Sequence, residues 1–206
     1  MTHLEDLLRR LAPFLDGRAQ PWALLGGLAV SVRTEPRFTR DLDLALAVDD
    51  DKRAEALVFD LQGAGFRALA TVEQEETHRL ATARLAPSGD PPEGLMLDLL
   101  FASSGIEAEV CTEAERLQVF PGCSVPVARL HHLIALKLLA RDDRTRPQDA
   151  GDLRQLLAEA EPSDIEGART AVQMIEARGF NRGRDLRKAL VSAMQEFGWS
   201  KNPPRA

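Results

Sequence analysis

Two aspartates separated by one residue, Asp41 and Asp43, are the side chains of this 206-residue chain best suited to chemistry. Alternate residues of a strand share a face, so both carboxylates project the same way. Held a few ångströms apart they repel, and keeping both ionised calls for a compensating cation. Mg²⁺ favours carboxylate oxygens together with phosphate oxygens and water, so the pair suits an open site for a metal–nucleotide complex. Upstream, Gly26-Gly27 offers unobstructed backbone N–H groups at a helix start, a natural cradle for phosphates. Taken alone, an Asp-x-Asp commonly marks a solvated strand end, and a Gly-Gly says less still. Their order joins them: glycines for a triphosphate, then carboxylates for its metal. A third carboxylate, Asp98, lies inside Leu95-Met-Leu-Asp-Leu-Leu-Phe101. A charge in so apolar a strand is costly without a partner, so Asp98 either faces solvent at an edge or joins a charged site.

The elements that must hold these groups are legible from periodicity. Residues 3–16 repeat leucines at helical spacing and stop at Gly17. Pro21 to Leu25 reads as a strand, followed by the glycine turn and a small-residue helix from Leu28 to Val32. Asp41 to Val48 is the strand that carries the aspartates, and 51–63 is a helix closed by Gly63 and Gly65. Phe66 to Val72, His78 to Leu85 and Leu95 to Phe101 read as strands, with Pro87-Ser-Gly-Asp-Pro-Pro92 as a turn. Gln118 to Val127, broken at Pro121-Gly122, reads as a hairpin. From there helical periodicity takes over, in 129–141, 148–160, 162–178 and 183–198. The expectation is an α+β core over residues 1–127 and a helical domain over 128–206.

Composition narrows the class. Hydrophobic residues make up 44% and charged residues 28%, as in ordinary globular proteins. No apolar run approaches the roughly 18 residues of a membrane span, and the N-terminus is acidic rather than signal-like, so a cytoplasmic protein is expected. The net charge of −6 lacks the basic footprint usual for nucleic-acid binding. It is uneven, though. Acidic residues gather in Asp49 to Asp51 and Glu73 to Glu76, while Arg141, Arg144, Arg146, Arg182, Arg184, Arg187 and Lys188 lie late in the chain, so a local basic surface stays open. Cys111 and Cys123 have no CxxC partner and read as structural thiols. His131 and His132 are adjacent, so on a helix they are expected to point apart and mark a helix start rather than ligate one metal.

The stretches Leu24-Leu-Gly-Gly-Leu-Ala-Val-Ser and Arg37-Phe-Thr-Arg-Asp-Leu-Asp-Leu44 resemble the nucleotidyltransferase superfamily, specifically its AbiEii-like branch. Leu133-Ile-Ala-Leu-Lys-Leu-Leu-Ala140 and Arg146-Pro-Gln-Asp-Ala-Gly-Asp-Leu153 are similar to that branch's helical lysine motif and the segment after it. The resemblance runs from about residue 20 to 157. It implies a nucleotidyltransferase-fold mixed sheet with helices, followed by a C-terminal helical bundle. Asp41 and Asp43 would ligate Mg²⁺ or Mn²⁺, and Gly26 and Gly27 would contact the triphosphate. Lys137 would approach the phosphates and Asp149 would complete the site, while Arg37 and Arg40 would contact phosphate or acceptor. Asp98 or Asp149 would serve as the base. Two departures stand out: Gly27 occupies a position often taken by serine, and Gln148 one often taken by a basic residue.

Lys137 also has plainer readings, as a lysine snorkelling from an apolar helix face or as an ion-pair partner of Asp149 or Asp152. Asp152 reads as packing support. The resemblance implies transfer of a nucleoside monophosphate from a nucleoside triphosphate to a tRNA 3′ end, by a toxin with a cognate antitoxin. A transferase acting on a small molecule such as an aminoglycoside or on a protein hydroxyl is the alternative, and a binding module that kept the fold is a third reading.

Overall fold

The computed structural model describes residues 3–74, 78–89, 94–142, 144 and 147–200. Glu75 and Glu76 of the acidic run, Asp90, Pro91 and Pro92 of the turn, Arg146, and the tail from Lys201 lie outside the described residues. The chain divides into two compact units. One holds Met1–Ala29, Arg37–Ser103 and Glu107–Ala128, and the other Val30–Pro36, Ser104–Ile106 and Arg129–Ala206.

The first unit is built on a seven-stranded mixed sheet. Its strands are β1 (Trp22–Leu24), β2 (Asp41–Leu46), β3 (Phe66–Glu73), β4 (Leu80–Pro87), β5 (Met96–Leu100), β6 (Glu115–Phe120) and β7 (Cys123–Val127), in the spatial order β3-β4-β5-β2-β1-β7-β6. β2 runs parallel to β5 and antiparallel to β1, while β4 runs antiparallel to β5. Leu42, Leu44, Leu97 and Leu99 alternate with Asp41, Asp43 and Asp98, and all four leucines are fully buried. Period-two patterning therefore gives the central strands one oily face and one charged face.

Three helices of this unit flank the sheet: α1 (His3–Asp16), α3 (Asp51–Gly63) and α4 (Glu107–Thr112), with α2 (Gly26–Arg33) beginning directly after β1. The leucines at 4, 7, 8, 11 and 15 of α1 are all buried, as their helical spacing predicts. Asp50 caps α3 by accepting a hydrogen bond from the Arg53 backbone N–H. The helix α4 has no counterpart in the sequence reading.

The second unit is helical: α5 (Leu130–Ala140), α6 (Pro147–Glu159), α7 (Pro162–Ala177) and α8 (Leu186–Glu196). α5 is its centre, with His132, Leu133, Ile134, Ala135, Leu138 and Leu139 buried around most of the helix. Arg184 donates to the carbonyls of Leu139 and Arg141 at 2.9 and 2.8 Å, satisfying the C-terminal end of α5. The stretch 30–36 is tied in by Thr34, whose hydroxyl lies 3.1 Å from Gln155 Oε1, and 104–106 by Arg178, which donates to the Gly105 carbonyl.

The late arginines are partly engaged inside this unit. Arg141 pairs with Glu196 at 2.9 Å and Arg187 with Glu176 at 2.7 Å. The histidine expectation needs correction: the His131 and His132 rings lie side by side, centroids 4.1 Å apart. Successive residues on a helix leave the axis in different directions, but two large rings in a first turn can still converge through their side-chain torsions.

Candidate active site

The parallel register of β2 and β5 sets Asp43 opposite Asp98, and the antiparallel register of β4 and β5 sets Arg84 opposite Asp98. Directly opposed residues share a face, so Arg84, Asp98 and Asp43 form one row across three strands, with Asp41 two residues along from Asp43. Asp98 is buried, in a central strand rather than at an edge. Arg84 grips it at two points, Nε to Oδ1 at 2.7 Å and Nη2 to Oδ2 at 2.6 Å. Those hydrogen bonds hold the Arg84 guanidinium firmly protonated, burial opposing them, and the charges of Asp98, Asp41 and Asp43 act in the same sense as the bonds. Arg84 thus lies in the field of all three carboxylates. It escaped the sequence reading, in which the strand His78 to Leu85 carries Arg79 as well as Arg84.

Gly26 is fixed by geometry. Its φ is +63°, and a Cβ there would fall 1.8 Å from Asp43 Oδ2. No other residue tolerates both the left-handed backbone and that approach. The first turn of α2 is accordingly packed against the carboxylate, with Leu25 N–H donating to the Asp43 carbonyl at 2.8 Å. At Gly27 a Cβ would meet Arg37 Nη2 at 2.5 Å and Thr39 Oγ1 at 3.0 Å. The guanidinium of Arg37 therefore occupies the space a side chain at 27 would fill. Arg37 Nη1 also donates to the Phe38 carbonyl at 3.0 Å. Arg40 lies over the Phe38 ring, 5.6 Å from its centroid.

Oxygen donors on one face, an exposed Asp41, a half-buried Asp43 and a turn that only glycine can make fit a hard divalent cation carrying phosphates. The carboxylate pair, the glycine turn and both arginines are all residues of the sheet unit.

In the helical unit Lys137, Asp149 and Asp152 come together. Lys137 Nζ lies 2.6 Å from Asp149 Oδ1 and 2.7 Å from Asp152 Oδ2, and all three side chains are largely buried. Asp152 takes as full a part in this cluster as Asp149. One ammonium is shared by two largely buried carboxylates. Asp149 Oδ2 is buried and accepts no hydrogen bond among the described residues. An orphaned carboxylate oxygen of this kind is the sort of acceptor a hydroxyl proton would satisfy.

No curated protein sequence matches the chain. An antigenic nucleotidyltransferase-like protein from Paracoccidioides brasiliensis shares 20% identity over 91% of this chain and 92% of its own, with a TM-score of 0.56, and so shares the fold. A nucleotidyltransferase structure from H. pylori is 17% identical over 96% and 95% of the two chains, at a TM-score of 0.49. The antibiotic-resistance factor ANT(2'')-Ia is 19% identical over 96% and 97%, also at 0.49. The family model for nucleotidyl transferase AbiEii toxins of type IV toxin–antitoxin systems matches residues 6–204. With nearly its whole length covered, the chain belongs to the AbiEii toxin family and is a nucleotidyltransferase.

Proposed function

We propose that the protein transfers a nucleoside monophosphate from a nucleoside triphosphate to the 3′ end of a tRNA, in the cytoplasm, as a toxin held in check by a cognate antitoxin. The observation that carries the transfer chemistry is the carboxylate row packed against Gly26. Asp41 and Asp43 would hold Mg²⁺, with Mn²⁺ as a substitute. The metal when bound would supply charge neutralisation for the triphosphate. Gly26 and Gly27 present backbone N–H groups to the phosphates, and Arg37, lodged against Gly27, adds a charged donor.

The reaction is an in-line displacement. The acceptor hydroxyl oxygen bonds to the α-phosphorus, the bond to the β-phosphate oxygen breaks, and pyrophosphate leaves. Asp149 is the better base than Asp98. Both oxygens of Asp98 are engaged by Arg84, whereas Asp149 keeps one buried oxygen without a partner among the described residues. Among the described residues Lys137 directs N–H donors to Asp149 and Asp152, and a third would meet the leaving phosphates. An RNA acceptor is what the motif resemblance implies, and exposed Arg40 beside the metal strand suits an anionic one.

Incubation with each α-labelled nucleoside triphosphate, Mg²⁺ and total tRNA tests the proposal. Label should enter tRNA and should be blocked when the 3′ ends are first oxidised with periodate. Label entering only aminoglycoside or only lysate protein would replace the acceptor, and no labelled product at all would overturn the proposed activity.

A further inference from the structure

Phe38 is 78% exposed, an unusual position for a large apolar ring. It lies three residues before Asp41, so its backbone is within about 11 Å of the first metal-site aspartate by chain length alone. The loop beneath it is anchored. Arg37 is lodged against Gly27 and bonds the Phe38 carbonyl, and the Thr39 hydroxyl sits close to the same glycine. The ring therefore stands on backbone that is fastened to the triphosphate turn. A cation accompanies it: Arg40 lies 5.6 Å from the centroid. Phe59 makes the contrast. It is 73% exposed in the middle of α3, with no cation over it among the described residues, and reads as an ordinary isolated surface apolar residue.

An exposed aromatic face paired with a guanidinium, next to a phosphate site, is the arrangement that stacks nucleobases, since every base offers a π-face and the cation adds to the attraction. We infer that Phe38 and Arg40 form a nucleobase platform that stacks a base of one of the two nucleotide reactants. This rests on the reading of the protein as a transferase that joins a nucleoside triphosphate to RNA. The base belongs either to the incoming nucleotide or to the terminal residue of the acceptor, and the chemistry of stacking is common to both.

The variant Phe38→Trp places a fluorophore on the platform without disturbing the core. With wild-type emission subtracted, the introduced indole should be quenched by nucleoside triphosphate with Mg²⁺ or by total tRNA, and not by inorganic tripolyphosphate with Mg²⁺. In the transfer assay Phe38→Ala and Phe38→Leu should raise the KM of whichever reactant quenches by about tenfold, the scale of one lost base stack, with Tm unchanged. Phe38→Tyr should restore it. Leucine keeps the apolar bulk, so a loss shared with alanine isolates the π-face. Absence of base-dependent quenching, together with ordinary KM values for both reactants in the alanine and leucine variants, would remove the platform and leave the transferase reading intact. Failure of the wild-type protein to label tRNA, with the indole of Phe38→Trp still quenched by nucleoside triphosphates, would instead remove the RNA acceptor and keep the platform on the nucleotide side.

Discussion

Lys137 is shared by two buried carboxylates, and that arrangement gives it structural weight beside any part in transfer. Removing the ammonium takes an ion-pair partner from both acids, and breaking a buried pair costs about 3–5 kcal/mol. Lys137→Met should therefore lower Tm. Adding Asp152→Asn should recover part of that loss by removing one of the two buried negative charges. Transfer per folded molecule should stay down by about two orders of magnitude in both variants, as when a transition-state charge is lost. Thermal melting and turnover on the same preparations decide the matter. Stability lost with turnover intact would make the lysine purely structural. An ion pair of Lys137 with Asp149 or Asp152 was one of several readings open in the sequence, because a conspicuous charge in an apolar helix is visible without a fold. Arg84 and its grip on Asp98 were not legible, because cross-strand register is a long-range property that neither strand declares alone.

At the level of elements, β2 owes its chemistry to one alternation, acids on one face and leucines on the other. The short helix α4 packs on β1 and β2, and it carries Cys111. Burial pushes the Cys111 thiol up from 9.0 to about 12, with Glu107 adding to the rise and a hydrogen bond with the Ala47 backbone opposing it. The folded chain thus holds this proton where the unfolded chain has released it. The stabilisation is whole below about pH 9 and is lost as the pH climbs toward 12. Denaturation followed against pH should show wild type losing stability faster than Cys111→Ala across that window, and parallel curves would contradict the shift. Most elements were readable from periodicity, down to the glycine stop of α1. α4 was missed because six residues carry less than two helical turns of pattern, too little to stand out from a loop.

Across the whole molecule, a change of texture near residue 128 announced an α/β part followed by helices. The observed units also assign 30–36 and 104–106 to the helical part. Such short stretches have no periodicity of their own, and only tertiary partners such as Gln155 and Arg178 reveal where they belong. The net charge of −6 gave little guidance on the acceptor, and two of the late arginines, Arg141 and Arg187, are engaged in ion pairs within the helical unit. The central claim is that Asp41 and Asp43 hold the metal that carries the nucleotide. Asp43→Asn removes one ligand charge while keeping the side chain's shape against Gly26. Calorimetric titration of each nucleoside triphosphate into the wild-type and variant proteins, with and without Mg²⁺, measures the consequence. Wild type should bind at least one nucleotide in a Mg²⁺-dependent manner, and the folded variant should bind it at least about tenfold more weakly, with the dependence on Mg²⁺ largely gone. Equal Mg²⁺-dependent affinity in the two proteins would contradict the account.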